Sequence, residues 1–134
     1  MEIRKRKFYR AVFMVVGWYD LILGFAFFFF FRGVYSLFSV KLPDNPAYVH
    51  LAAAFIFVQG LAYLFVYFNM ERNVDLVRVG TIYKTAYIGV SFYHWAAGTL
   101  PHAMFVLFGF LDLVFLSLFL LYLREIAIAA KVKR

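Results

Sequence analysis

The chain has 134 residues, of which 66% are hydrophobic, 23% are aromatic and only 16% are charged. Soluble domains are about half apolar and about a quarter charged, so this composition indicates one small integral membrane domain instead. The formal net charge of +7 comes from basic residues near the chain ends, which favours contact with membrane lipids over nucleic acid. The chain contains no cysteine, which excludes disulfides, thiolate metal sites and redox dithiols.

The first predicted membrane span covers residues 8–31, directly after a basic N-terminal segment. A cleaved signal peptide is the alternative for such a segment. The apolar run is too long for one, Asp20 interrupts it, and no small-residue cleavage site follows. The segment is therefore predicted to stay in the membrane as a helix.

Three further segments contain the roughly 20 mostly apolar residues that a spanning helix needs. They cover residues 46–68, 75–98 and 101–123. Asn45 is predicted to cap the second span, with Pro46 as its first residue, and Gly98 to Pro101 forms a tight hairpin between the last two. Residues 32–45 are predicted either to lie partly in the membrane interface or to form an ordered loop over the bundle.

Basic residues near the span ends predict the orientation of the bundle, because they concentrate on the cytoplasmic side. The four spans predict an all-α four-transmembrane-helix bundle, and the basic residues predict that both of its termini are cytoplasmic. The C-terminal tail is predicted to extend the last helix. The opposite side carries only Arg32 and Lys41. The basic residues predicted on the cytoplasmic side are Arg4, Lys5, Arg6, Lys7, Arg10, Arg72, Arg78, Arg124, Lys131, Lys133 and Arg134.

Each span carries a polar residue near its middle: Asp20, Gln59, Lys84 and Asp112. An ionisable group at this depth costs about 2.5–3.5 kcal/mol even on the more lenient insertion scale, so it should face the bundle interior and have a partner. We expect Lys84 to pair with Asp20, Asp112 or both, and one acid to be protonated or to share a proton through Gln59, Tyr87 or water.

Four interpretations of this polar layer are open. It either fixes which helix lies beside which, or forms a ligand or proton site at the membrane midplane, where many transporters bind. Lys84 alternatively extends unpaired to the cytoplasmic interface, or forms a retinal-like Schiff base, for which four helices are fewer than usual.

Three histidines are predicted at the outer face: His50, His94 and His102. Three imidazoles at one level could bind a metal, and two could ligate a haem. The alternative is that they belong to an interfacial aromatic belt around a tight turn. On the cytoplasmic side, Asn73 or Asp75 is predicted to cap the third span.

The C-terminal half resembles a known group of proteins. It contains a charged turn around Glu71, a helix with the pattern Gly-x-x-x-Lys from Gly80 to Lys84, a Gly/Pro hairpin and the Asp112-Leu113 pair. On these features it resembles uncharacterised members of the small bacterial DoxX-like four-helix membrane proteins. The resemblance implies a compact inner-membrane bundle in which Lys84 and Asp112 are the marked positions, and it implies little about a reaction.

Three functions are therefore carried forward. The first is a non-enzymatic membrane protein that acts as an accessory or assembly subunit, or that binds a small hydrophobic ligand. The second is a redox subunit that binds quinone or haem. The third is a small proton-coupled transporter. Partners would be membrane lipids, other membrane subunits or a second copy of the chain.

Overall fold

The structure is a computed structural model that describes residues 1–132, so the basic residues predicted at 133 and 134 lie outside it. Of the described residues, 82% are helical and none forms a strand. Five helices make up this part of the chain: α1 (Ile3–Phe29), α2 (Phe31–Leu37), α3 (Ala47–Phe68), α4 (Val74–Ala96) and α5 (Met104–Val132).

The four long helices correspond to the four predicted spans. In the described residues, three of them, α1, α3 and α5, are both long and apolar enough to cross a membrane. Helix α4 has 23 residues and rises about 34 Å, which would cross the roughly 30 Å of hydrocarbon, but it is too polar to join them. The prediction of an all-helical membrane protein is thus confirmed for three spans, and the fourth stays a proposal.

Helices α1 and α5 both extend past the predicted spans, α1 by five residues at its start and α5 to Val132. Charged side chains hold the two extensions together: the Lys5 ammonium lies 2.9 Å from the Glu125 carboxylate. Beside them, the Tyr122 hydroxyl donates a 2.8 Å hydrogen bond to the Met70 carbonyl, which ties α5 to the turn between α3 and α4.

These contacts bring the start of α1, residues 69–73 and the last turns of α5 to one end of the bundle, which we call the basic end. At the opposite end, Tyr35 of α2 is only 5% exposed, and its ring packs edge-on against Phe27 and His102. The predicted loop thus contains a short helix that packs onto the bundle through Tyr35, while Leu37 remains exposed.

The predictions for the turns have different outcomes. Helix α3 begins at Ala47, with Pro46 and not Asn45 at the N-cap position, although Asn45 accepts a 2.9 Å hydrogen bond from the Ala47 amide. Gly98 has a left-handed φ of +68° just after α4, but α5 begins at Met104 and not at Pro101. The cap of α4 is confirmed in position only: Asn73 is its N-cap residue, but no side-chain capping hydrogen bond forms within residues 1–132. Within the described residues the Asn73 side chain caps nothing on α4; its Nδ2 donates to the Phe65 carbonyl at the end of α3, and Asp75 pairs with Arg78.

Helices α1 and α3 approach until their backbones touch. A Cβ atom at Gly60 would lie 2.6 Å from the Leu21 backbone nitrogen and 2.8 Å from the Gly17 carbonyl oxygen. A side chain larger than hydrogen would force the helices apart, so this glycine sets their spacing. The contact also fixes the rotation of α1 that turns Asp20 inwards, where it is 3% exposed.

Candidate functional site

One lysine and two aspartates from three helices meet inside the bundle. The Lys84 Nζ atom lies 2.7 Å from Asp112 Oδ1 and 3.4 Å from Asp20 Oδ2. Lys84 is fully buried and the two acids are 3% and 6% exposed, so water does not screen the interaction. We call these three residues the ion cluster.

The sequence of α4 accounts for the position of the lysine. Gly80, Lys84 and Ser91 are all buried and share one face at intervals of four and seven residues. Gly80 leaves room for the Tyr63 ring of α3, which would lie 2.5 Å from a Cβ atom at that position. Trp95, four residues after Ser91, is 55% exposed and lies beside the Phe110 ring of α5.

Two aromatic rings complete the shell around the ammonium. Lys84 Nζ lies 5.4 Å from the centroid of the Tyr63 ring and 5.5 Å from that of Phe115. Both distances are within the range of a cation–π interaction, which strengthens when the cation is removed from water. The ammonium therefore has two carboxylates and two aromatic rings as neighbours.

A cavity of about 260 Å³ lies directly beside the ion cluster. Asp20 and Asp112 form its polar end, and the cavity reaches the surface at Tyr48, which is 76% exposed. Each carboxylate uses one oxygen for Lys84 and also lines the cavity. The remaining wall is apolar or aromatic and comes from all five helices: Tyr19, Leu23, Phe27, Tyr35, Val49, Ala52, Ala53, Ile56, Tyr83, Tyr87, Phe105 and Phe108.

Tyr19 contributes a buried hydroxyl that has no hydrogen-bond partner within residues 1–132. A buried polar atom left in this state costs about 1–3 kcal/mol, and such atoms usually pair with water or a ligand. Tyr19 also lines the cavity beside Asp20, so this unpaired hydroxyl belongs to the wall of the cavity.

Two of the predicted network residues do not join the ion cluster by hydrogen bonds. The Gln59 amide nitrogen is buried and has no partner within the described part of the chain. The Tyr87 hydroxyl donates instead to the Phe105 carbonyl at 3.4 Å, which places this tyrosine in the cavity wall. The expected proton path through Gln59 or Tyr87 is therefore absent from the direct contacts of the described residues.

The three histidines have separate surroundings. His50 packs against Phe28 and Phe31, His94 Nδ1 lies 2.7 Å from the Thr99 hydroxyl, and His102 stacks on Phe105. In residues 1–132, no group of three or more His, Asp or Glu side chains is arranged to bind a metal. The metal-site hypothesis for these histidines therefore receives no support from their geometry.

A second cavity, of about 440 Å³, lies at the opposite end of the bundle, and we call it the vestibule. It shares Tyr35 and Phe105 with the cavity beside the ion cluster. His102 lines the vestibule, and partial burial lowers the pKa of its imidazole, which favours the neutral form.

Three aromatic residues near the ion cluster were not singled out from the sequence: Tyr19, Tyr83 and Phe115. Tyr19 and Tyr83 directly precede Asp20 and Lys84, and Phe115 follows Asp112 by three residues and shares its helix face. Helical spacing around Asp112 would have indicated Phe115, whereas the tyrosines resemble any other aromatic residue of a membrane helix.

Comparisons with protein-family models, with curated proteins and with solved structures found no match to this chain.

Proposed function

We propose that this protein spans the membrane four times, with α4 as the fourth span, and binds a small hydrophobic molecule in the cavity beside the ion cluster. The observation that carries the proposal is the juxtaposition of an apolar, aromatic wall with two buried carboxylates and the unpaired Tyr19 hydroxyl. Ligand sites combine such an apolar lining with a few polar groups that orient the ligand.

The size of the cavity limits the ligand. Its volume of about 260 Å³ is below the range of roughly 300–1,000 Å³ typical of sites for drug-sized molecules. A compact molecule fits inside, or the headgroup of a longer one such as a quinone, with an apolar tail that leaves the bundle near Tyr48. Haem is not proposed, because no two histidines face a common space in the geometry described above.

The ion cluster supports the proposal that α4 crosses the membrane. Lys84 contacts acids that lie near the middle of the predicted spans 8–31 and 101–123, so α4 lies at the same depth as the apolar parts of α1 and α5. The polar residues that lower its hydropathy include Lys84 itself, which faces inwards. We further propose that the basic end is cytoplasmic, in a bacterial inner membrane; the DoxX-like resemblance stays a prediction.

Transport of the ligand is a second candidate function. It is favoured by the vestibule, which shares two aromatic residues with the cavity and so offers a route from one side of the membrane. A role as an accessory or assembly subunit is the alternative if the cavity is empty in the native protein.

The test is purification from native membranes in mild detergent, followed by mass spectrometry of bound lipids, quinones and proteins. The variant Ala52→Phe adds a ring at a residue that lines the cavity, and Ala86→Phe makes the same change on α4 at a residue that does not; both alanines are exposed. We expect a bound small molecule in the wild type and in Ala86→Phe, and its loss from Ala52→Phe.

Equal recovery of the molecule from both variants would place it on the lipid-facing surface and contradict the proposal. Recovery of a protein partner without any small molecule would support the accessory-subunit function instead.

A further inference from the structure

We infer that the cavity beside the ion cluster selects a lipophilic monocation, and that this cation displaces one proton from the pair formed by Asp20 and Asp112. The inference rests on the proposed ligand-binding function and names the chemical class of the ligand. It follows from the charge balance of the site, the nature of its wall and the position of the acids.

The first step is the count of charges. Two carboxylates face one ammonium, so the fully ionised ion cluster has a net charge of −1 on side chains that are almost completely buried. Among the described residues, no lysine and no arginine lines the cavity, and Lys84 contacts the two acids from behind its wall. Asp20 and Asp112 face each other across the ammonium. The other titratable groups that face them are Tyr19 on α1, Tyr63 on α3, and Tyr83, Lys84 and Tyr87 on α4.

The second step concerns the empty site. An uncompensated charge inside hydrocarbon is strongly unfavourable, and two carboxylates that share a site therefore retain a proton. The proton belongs to the coupled pair and not to either acid alone. Without a ligand, the ion cluster thus holds one proton and is neutral overall.

The third step is replacement of that proton. A ligand with a single fixed positive charge can supply the same compensation, so its binding releases one proton from the acid pair. A neutral ligand leaves the proton in place, and an anion would add a second excess negative charge. The ion cluster therefore discriminates among ligands by charge, while the cavity walls discriminate by size and shape.

The wall is suited to a cation with an apolar body. Tyr19, Tyr83 and Tyr87 lie near the acids, and Tyr35, Phe105 and Phe108 extend the aromatic lining away from them. Aromatic faces attract organic cations by cation–π interaction and also accept apolar substituents. A hydrated metal ion lacks the apolar body that this lining favours.

The experiment compares two ligands of the same shape. Benzyltrimethylammonium carries a permanent charge, and neopentylbenzene is its neutral isostere. Binding of each to the full-length protein in detergent is measured by isothermal titration calorimetry, with a blank titration into empty micelles. Proton release is followed with an indicator dye in weak buffer.

For the wild type, we expect benzyltrimethylammonium to bind at least about 10-fold more tightly than neopentylbenzene at pH 8, and to release close to one proton in titrations at pH 5, where the free site is protonated. Because binding is linked to loss of that proton, its affinity should fall by about 10-fold for each unit that the pH decreases while the free site stays protonated. Neopentylbenzene should show no pH dependence.

The variant Asp20→Asn removes the excess charge and keeps the 2.7 Å pair of Lys84 and Asp112. It should bind benzyltrimethylammonium at least about 10-fold more weakly than the wild type and release no proton. If this variant does not fold, the pH series on the wild type decides the question alone.

The outcomes distinguish failure of this inference from failure of the proposed function. If neopentylbenzene binds as well as the cation and no proton is released, the cavity binds hydrophobic ligands but the inference about charge is wrong. If neither compound binds at any pH, the inference fails together with the proposed site.

Discussion

Lys84 joins three helices through a single ammonium group. Its two ion pairs connect α4 to α1 and α5, and each partner is nearly as well buried as the lysine. A buried ion pair adds little stability compared with a well-packed apolar pair, but removal of one member leaves its partner charged and unpaired. Lys84 therefore contributes to stability mainly by compensating the negative charge of the two acids.

We predict that Lys84→Met lowers the free energy of unfolding by about 3–5 kcal/mol, because it leaves the buried acid pair of Asp20 and Asp112 with no cation. The triple variant Lys84→Met with Asp20→Asn and Asp112→Asn should be more stable than Lys84→Met alone. Unfolding in mixed micelles of mild detergent and dodecyl sulfate provides the measurement.

Lys41→Met is the matched control, because Lys41 is exposed and the change should have little effect. If the triple variant were less stable than Lys84→Met, a group other than Lys84 would have to compensate the negative charge of the acids.

At the residue scale, the sequence predicted which charged groups would be buried but not which hydrogen bonds they would make. The cost of burying charge in hydrocarbon was enough to connect Lys84 with Asp20 and Asp112. It could not indicate that Tyr87 would bond to the Phe105 carbonyl, or that the Gln59 amide nitrogen would have no partner among the described residues, because such contacts depend on the rotation of each helix about its axis. The unpaired Tyr19 hydroxyl could not be predicted for the same reason.

At the scale of helices, the pair formed by α1 and α3 depends on glycine. Replacement of Gly60 by alanine would place a methyl group 2.6 Å from the Leu21 backbone nitrogen, and backbone atoms of a helix cannot move individually. We predict that Gly60→Ala lowers the free energy of unfolding by about 1–3 kcal/mol, as measured in the same mixed micelles, since the helices must separate.

The control for this change is Gly89→Ala, since nothing lies within 4 Å of a Cβ atom at that exposed position on α4. It should be neutral or stabilise the helix by up to about 1 kcal/mol through higher helix propensity. Equal destabilisation by the two variants would show that the backbone contact between α1 and α3 is not what limits stability.

The helices themselves were largely predictable, and their ends were less so. Apolar length located α1, α3 and α5, because backbone groups in lipid must be satisfied within a helix or a barrel. It could not locate the start of α1, which precedes the apolar segment, whereas the extension of α5 through the C-terminal tail was predicted. Lys5 and Glu125 join these two extensions by an ion pair between distant parts of the chain. The cavity, which needs all five helices, was not predictable from any one of them.

At the scale of the molecule, charge is divided between the interior and one end. The interior holds the ion cluster, with an excess of acid, and the basic end holds most of the lysine and arginine. A basic end suits the anionic headgroups of a cytoplasmic leaflet. The same asymmetry predicts which loops lie inside the cell, provided that α4 crosses the membrane.

The absence of cysteine from the sequence permits a direct test of this topology. Single cysteines at Glu2, Asp44, Arg72 and Thr99 can be labelled with a membrane-impermeant maleimide in intact bacterial cells. We predict labelling of Asp44→Cys and Thr99→Cys from outside, and labelling of Glu2→Cys and Arg72→Cys only after permeabilisation, because basic segments remain in the cytoplasm. If α4 did not cross the membrane, Arg72→Cys and Thr99→Cys would react from the same side, and Lys84 could not lie at the depth of Asp20 and Asp112.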